Sequence, residues 1–252
     1  MSEKPTEDPT LPAANFDHHA GVDRATTPAT CRQVFDALKS GKLNHFQKDG
    51  KPFFRLFLED CDGDVSTCVA LFEIYCENPE LFNNEKLAEL VRIENNLDKS
   101  FGINPDDETR KTSIEQLEKV LWVFDLYQSA RRQGKTAVMD AAGMTDIIQK
   151  TGERIRKYTD GKAGKITFDG RYDNLGGGNG WTMVKEVGNE ARIQMVKDGL
   201  NALLSVEEVR SPENPELKWR YTFIKTSKDV KIPIKELSAF FNKYEKIDKN
   251  SA

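Results

Sequence analysis

Three aspartates at alternate positions, Asp60, Asp62 and Asp64, form the group of side chains in this chain most suited to chemistry. They stand in the run Glu-Asp-Cys-Asp-Gly-Asp, directly after an apolar run that ends at Leu58. Neighbouring carboxylates can act as nucleophile and general acid, and their oxygens are the ligands that Mg²⁺ prefers. Asp60, Asp62 and Asp64 are therefore candidate catalytic and metal-binding residues.

The segment from Phe57 to Asp64 resembles the first motif of the haloacid-dehalogenase-like phosphohydrolases, where an apolar strand runs into Asp-x-Asp-Gly. The resemblance implies a Mg²⁺-dependent phosphohydrolase or phosphotransferase. In it, Asp60 would attack phosphorus and Asp62 would protonate the leaving group, with Mg²⁺ between carboxylates and phosphate. The chain departs from the family pattern at Glu59, where an apolar residue is usual, and at Asp64, where threonine or valine is usual. An alternating β/α chain should also follow this motif, but a run of helices is predicted.

The same aspartates partly match a calcium-binding loop, with Ser66 at the next alternate position. Such a loop needs glycine at its sixth position and glutamate at its twelfth, where Val65 and Leu71 stand. The remaining interpretation is a polar turn between helices, in which Ser66 or Thr67 caps the second helix.

Histidine and cysteine are confined to the N-terminal third of the chain. No histidine follows His45 and no cysteine follows Cys76, so the last 176 of 252 residues contain neither. A histidine-activated nucleophile or a zinc site with His or Cys ligands cannot be built from that part alone. Cys31, near the start of a predicted helix, would have its thiolate favoured by the helix N-terminus. It would still need a histidine partner.

A second candidate site is the run Leu-Gly-Gly-Gly-Asn-Gly-Trp at 175–181. Gly176, Gly177 and Gly178 permit positive φ and the close approach of a ligand or partner. Trp181 beside them has the size and polarity of an interface anchor. We therefore predict these four residues as binding residues. The alternative is a hairpin connection with Trp181 in the core.

Apolar spacing and capping residues predict the elements that must position these side chains. Helices are predicted at 30–41, 67–77, 84–97, 113–127, 136–158, 189–204 and 233–244. Strands are predicted at 165–168, 181–187, 206–210 and 218–225. Asp49-Gly50 is a hairpin signal. Phe53 to Leu58 fits either a buried strand or a helix, and Pro52 at a first helical turn favours the helix.

The predicted fold class is α+β and predominantly α, with a helical bundle-like region followed by a smaller antiparallel α+β region. We predict a disordered tail at 1–29, a helical domain at 30–160 and a short tail at 248–252. The α+β domain at 161–247 contains the glycine-rich loop.

Composition restricts the partners and the compartment. A net charge of −4 and a pI near 5.6 argue against a nucleic-acid partner that is held by bulk positive charge. No apolar run is long enough to predict a membrane span. Four cysteines without C-x-x-C spacing predict reduced thiols and a cytoplasmic location, or delivery into a host cytosol without a classical signal peptide.

The leading functional hypothesis is a regulatory, adaptor or effector-like protein that binds another protein through a surface, without a cofactor. It predicts an exposed aromatic patch around one of four residues, Trp181, Trp219, Phe240 or Phe241. The Mg²⁺-dependent phosphohydrolase is the first alternative. The second is a carboxylate-based enzyme that uses three residues beside the glycine-rich loop, Asp169, Arg171 and Asp173.

Overall fold

The computed structural model describes residues 14–16, 27–58, 60–99, 111–178, 180–200, 202–211, 214–225 and 235–239. The chain divides into two compact units, Met1–Phe168 and Asp169–Ala252. The first, called here the helical unit, has helices around an apolar core, and the second, the sheet unit, contains a four-stranded sheet. The predicted class, α+β with a predominance of helix, is confirmed. Most of the predicted tails lies outside the described residues.

Helix α1 (Thr30–Lys39) opens the helical unit, with apolar residues three or four positions apart on its buried face. The N–H groups of Thr30 and Cys31 both donate to the carboxylate of Asp64, at 3.1 and 2.7 Å. This helix is therefore capped by a distant aspartate rather than by a side chain of its own first turn. Gly41, with φ of +73°, follows its C-terminal end, as glycine commonly does.

A two-stranded hairpin follows α1. Strands β1 (Gln47–Lys48) and β2 (Lys51–Pro52) pair in an antiparallel arrangement. Both turn residues, Asp49 and Gly50, have positive φ, which is the backbone conformation that Asp-Gly hairpin turns require. The hairpin predicted from this dipeptide is present.

Helix α2 (Gly63–Glu77) lies at the centre of the helical unit and is buried on nearly every side, as its apolar composition predicts. It packs against α1 and against the two helices α3 (Glu85–Lys99) and α5 (Ala141–Thr159). Even so, among the described residues neither α2 nor any other helix combines the length and the apolar character needed to cross a membrane.

Single polar side chains cap the remaining helices of this unit. Asn84 and Ser113 accept first-turn backbone hydrogen bonds in α3 and in α4 (Ile114–Arg132), as predicted. The helix predicted at 136–158 is instead a 3-10 turn at Lys135–Val138 followed by α5. Asp140 caps α5 by accepting from the N–H of Gly143 at 2.9 Å. The predicted helix is therefore interrupted between Val138 and Ala141, before Gly143.

The sheet unit has strands β3 (Tyr172–Gly178), β4 (Trp181–Glu186), β5 (Ala202–Ser211) and β6 (Asn214–Lys225), in the spatial order β3-β4-β5-β6. The β3–β4 and β5–β6 pairs are antiparallel. The β4–β5 pair is parallel, because the connection between them crosses over through helix α6 (Ala191–Lys197). The sheet is therefore mixed, whereas the prediction was antiparallel.

Three predicted elements of the C-terminal part differ from the structure. Residues 165–168 are not a strand, although the N–H of Ile166 donates to the C=O of Glu118 at 3.2 Å. The helix predicted at 189–204 stops near Gly199, which has φ of +85°, and Leu203 and Leu204 belong to β5. Of the helix predicted at 233–244, residues 235–239 are helical and the rest is not described.

Candidate functional site

Helix N-termini engage two of the three predicted catalytic aspartates. Asp62 is the N-cap of α2, and its Oδ1 accepts from the N–H of Val65 at 2.9 Å. Asp64 is buried and caps α1 as described above. Asp60 is exposed, and its Oδ1 accepts from the N–H of Cys61 at 2.6 Å. The spacing of Asp62 and Asp64 is therefore explained by the capping of two different helices.

The strand that a haloacid-dehalogenase-like site would need in front of these aspartates is not present. Phe53 to Leu58 forms neither a strand nor the helix that we favoured from Pro52. Within the described ranges, no group of three or more His, Cys, Asp or Glu side chains is arranged to hold a metal ion.

Two carboxyl groups near the start of α2, those of Asp62 and Glu94, have raised pKa values. Burial raises the pKa of Asp62 from 3.8 to about 7, and the charges of Asp64 and Asp60 add to the rise, against the N–H of Val65. Burial, and then the same acidic neighbourhood, raises the pKa of Glu94 on α3. A Cβ at Gly63 would collide with the Glu94 carboxylate, so glycine is what allows this carboxyl to approach the helix start.

Cys31 does not have the activated thiol that its position predicts. The side chain is fully buried, and burial is the main cause that raises its thiol pKa, followed by the charge of Asp64. Because the Asp64 carboxylate already occupies the N-terminus of α1, the helix does not favour a thiolate there. The expectation that the helix N-terminus favours the Cys31 thiolate is therefore wrong.

The glycine run lies in a strand rather than in a loop. Gly176, Gly177 and Gly178 are exposed residues of β3, and the chain turns at Gly180 with φ of +83°. A side chain at Gly177 would collide with the backbone of Trp181, and one at Gly178 would meet its indole ring. Trp181 itself is half-buried. Close packing against β4 thus accounts for two of these glycines without a ligand.

The residues of the carboxylate-enzyme alternative lie at the start of the sheet unit. Arg171 pairs with Asp169 at 2.7 Å, and this partner holds the pKa of Asp169 at about 2. Asp173 is exposed in β3. The Asp169 carboxylate is therefore ionised and paired, which does not favour a general-acid role.

The segment from Phe53 to Leu58 exposes three large apolar side chains close together. Phe53 is 49% exposed, Phe57 is 70% exposed and Leu58 is 39% exposed. Exposed and half-buried residues alternate from Phe53 through Phe57, which is the pattern of an extended chain lying on a surface. We call Phe53, Arg55, Phe57 and Leu58 the outer strip.

The alternate side chains hold this segment on the helical core. Phe54 and Leu56 pack against the apolar cluster. The Phe54 ring lies 4.7 Å from the Phe72 ring of α2 and 6.4 Å from the Tyr75 ring, measured between centroids. Aromatic pairs at such distances contribute beyond the burial of their area. The outer strip therefore lies on a segment whose other side chains, Phe54 and Leu56, fix it to the core.

Charged side chains adjoin the outer strip. Arg55 lies within it, and Lys48 and Lys51 are exposed in the adjoining hairpin. The Lys48 Nζ lies 5.7 Å from the centroid of the Phe53 ring, within cation–π range. Asp49 in the hairpin turn and Asp60 beyond Leu58 are also exposed, so the outer strip is an aromatic surface bordered by charges of both signs.

The main chain of this segment continues β2 beyond its partner strand. The N–H of Phe53 donates to the C=O of Phe46 at 3.0 Å, which adds one more bond to the hairpin ladder. On the β1 side of the hairpin, the chain before Phe46 forms the turn at 41–45. No backbone hydrogen bond joins Phe54–Leu58 to another residue of the described part of the chain.

The aromatic patch predicted around the tryptophans is less developed. Trp219 is 40% exposed, and the Lys185 Nζ lies 5.3 Å from its ring centroid. Phe240 and Phe241 lie outside the described residues. The sequence signal for the outer strip was present in the run Phe-Phe-Arg-Leu-Phe-Leu, which fitted either a buried strand or the helix that we favoured.

Known proteins give no further guidance, since no family model, no curated protein and no solved structure matches this chain.

Proposed function

We propose that this chain is a protein-binding module and that the outer strip of the helical unit is its binding surface. The observation that carries the proposal is the combination of exposure and anchoring at 53–58. Large apolar side chains that stay in water on a fixed segment mark interaction sites more often than isolated exposed residues do. Aromatic and arginine side chains are also those that dominate binding energy at interfaces.

The chemistry of the strip supports binding over catalysis. Phe53, Phe57 and Leu58 offer contact area, and Arg55 offers a planar donor group for carboxylates. Of the three aspartates that follow the strip, Asp62 and Asp64 accept hydrogen bonds from helix N-termini, and Asp60 accepts one from the N–H of Cys61. A regulatory, adaptor or effector-like role follows from this kind of surface.

A photo-cross-linking amino acid in place of Phe57 tests the proposal. In extracts of the source cell, we expect a discrete cross-linked partner that is absent when the same amino acid replaces Leu175. Leu175 is a suitable control because it is an exposed apolar residue of the sheet unit. The captured partner must then be purified and its affinity for the full chain measured.

The decisive measurement uses the matched variants Phe57→Ser and Leu175→Ser. We expect Phe57→Ser to weaken binding of the purified partner by about tenfold or more, because central aromatic residues dominate binding energy, and Leu175→Ser to leave it unchanged. Equal affinities for both variants, or no specific cross-link at position 57, would refute the proposed function.

A further inference from the structure

We infer that the partner of the outer strip is a second copy of this chain, whose outer strip lies antiparallel to the first. The inference rests on the proposed function and names the occupant of the same surface. Extended segments with unpaired main-chain groups can pair with a segment of another chain, and a two-fold axis places the same surface on both partners. Main-chain geometry, side-chain contacts and charge each favour such a pair at 53–58.

The hairpin ladder indicates the register of the two strips. In an extended chain, every second residue directs its N–H and C=O groups to the same side. The N–H of Phe53 points to Phe46, so the main-chain groups of Arg55 and Phe57 face the side that β1 occupies further back. No backbone group of the described part of the chain takes up those hydrogen bonds. A two-fold axis near Leu56 would pair Arg55 of each copy with Phe57 of the other, which satisfies both residues.

The same register brings complementary side chains together. Arg55 of each copy would lie opposite Phe57 of the other, and side chains at opposite positions of paired strands are in contact. A guanidinium group over an aromatic ring is a favourable pair, and the symmetry provides it twice. A register centred on Arg55 would instead set two like charges opposite each other. The pairing also removes from water the Phe57 ring, which is 70% exposed in the single chain.

The charges of residues 48–60 allow two copies to meet and favour the antiparallel direction. These charges sum to zero, with the cations Lys48, Lys51 and Arg55 against the acids Asp49, Glu59 and Asp60. The hairpin before the strip has two exposed cations and one exposed acid, whereas Asp60 is exposed beyond the other end of the strip. An antiparallel copy therefore brings Asp60 to the hairpin that carries Lys51, and the two-fold axis repeats this contact. A parallel copy would set like charges side by side.

The acidic residues of a neighbouring helix are engaged elsewhere. Helix α2 reaches the hairpin at Cys76, whose Sγ lies 4.0 Å from the C=O oxygen of Pro52. The acids closest to Cys76 along this helix, Glu73 and Glu77, both form ion pairs with Arg156 of α5, at 3.2 and 3.1 Å. The hairpin side of the strip therefore keeps its excess of one cation for a partner.

Sedimentation equilibrium of the purified full chain tests the inference. Because a strip of four residues is smaller than the interface of a stable dimer, we expect a dissociation constant of about 10–100 µM. Phe57→Ser should weaken the dimer by about tenfold or more, because it removes the central aromatic side chain from both copies. Leu175→Ser, at an exposed apolar residue of the sheet unit, should leave the dimer unchanged. Unfolding measured at about 1 µM then reports on the single chain.

An exchange of one charge pair tests the antiparallel arrangement. Lys51→Asp and Asp60→Lys each set like charges together at both symmetric contacts, and each variant alone should dimerise about fivefold or more weakly than the wild type. A mixture of the two variants restores opposite charges at both contacts, but only in the heterodimer. We therefore expect the mixture to dimerise about as strongly as the wild type. Thermal unfolding of each variant alone checks that it is folded.

Several results would overturn the inference. A chain that stays monomeric up to about 300 µM, or a dimer that Phe57→Ser leaves intact, would remove the second copy from the outer strip. A mixture of the charge variants that associates no more strongly than its components would remove the antiparallel arrangement. Binding of a monomeric chain to phosphatidylserine vesicles that requires Phe57 would replace the second copy by a lipid surface. If the chain is monomeric but the position-57 cross-link captures a different protein, the proposed function stands and only this partner fails.

Discussion

Two adjoining segments of the helical unit depart from the usual rule that apolar side chains are buried and charged ones are exposed. They depart from it in opposite directions. Phe53 to Leu58 exposes large apolar groups, whereas the segment from Asp60 to Asp64 buries the carboxylate of Asp64 and half-buries that of Asp62. Buried polar groups and exposed apolar patches are the informative exceptions in a folded protein. The two segments differ in whether the chain itself supplies an explanation.

The acidic segment is explained from within. Asp62 and Asp64 accept hydrogen bonds from the first turns of α2 and α1, so their positions serve the start of two helices. The apolar segment has no such internal account, since four of its six side chains are turned away from the core that anchors the other two. Two of the three aspartates that resembled an active site, Asp62 and Asp64, thus cap helices. The run that fitted a buried strand or a helix is the proposed binding surface.

The largest effect is expected from removing the cap shared between helices. Asp64→Ala should lower the free energy of unfolding by about 2–3 kcal/mol, because it leaves the buried N–H of Cys31 without its charged acceptor. Asp64→Asn keeps one acceptor oxygen and should lose about half as much. Urea unfolding of the two variants gives the comparison. A loss below about 0.5 kcal/mol for Asp64→Ala would mean that the aspartate is not a structural cap.

The second largest effect on stability is expected at the inner side of the apolar segment. Phe54→Ser should cost about 2 kcal/mol of unfolding free energy, because it removes a ring packed against Phe72 and Tyr75 and leaves a polar group there. The matched surface variant is Arg55→Ala, which should change stability by less than about 0.5 kcal/mol. Urea unfolding of both proteins checks the difference. Equal losses would show that the segment is not anchored on alternate residues.

The capping positions and the anchored segment differ in how visible they are in the sequence. Asn84, Ser113 and the Asp49-Gly50 turn are local signals, because the residue that forms the hydrogen bond or turn is adjacent to the element it serves. The cap of α1 was missed because Asp64 lies more than thirty positions from Thr30. Only the folded chain brings a residue that distant to a helix start.

The conformation of 53–58 was hidden for a different reason. An alternation of buried and exposed residues can be recognised in a sequence when one face of the segment is polar. Here both faces are apolar except at Arg55. Such a run fits an internal strand or a helix equally well. Leu203 and Leu204 show the same ambiguity, since an apolar run after Gly199 was assigned to a helix although this glycine ends it and a strand follows.

A smaller effect, and one that depends on pH, is expected at the other cap. The folded-state pKa of Asp62 is raised to about 7, so the proton that it binds stabilises the fold below the unfolded value of 3.8. This contribution is lost as the pH rises through about 7. Asp62→Asn keeps an N-cap without a charge, and it should be more stable than the wild type by about 1 kcal/mol at pH near 8 and by less near 5.

The control for this prediction is Asp62→Ala, which removes the charge and the cap together. Relative to Asp62→Asn it should lose about 1 kcal/mol at either pH, since alanine accepts no hydrogen bond from the N–H of Val65. Urea unfolding at the two pH values separates the two contributions. A wild-type protein whose advantage over Asp62→Asn grows with pH would contradict the sign.

The smallest effect on stability is expected where the effect on binding is largest. Phe57→Ser should change the free energy of unfolding by less than about 0.5 kcal/mol, because most of the ring is already in water when the chain is folded. Phe54→Ser, the same substitution three positions away on the inner side, is the matched control. A loss of about 2 kcal/mol at both positions would show that Phe57 is covered by the chain itself in solution. Exposure would then no longer distinguish the apolar segment from the acidic one. The exposed ring of Phe57, on which the proposed binding surface rests, would not be present in solution.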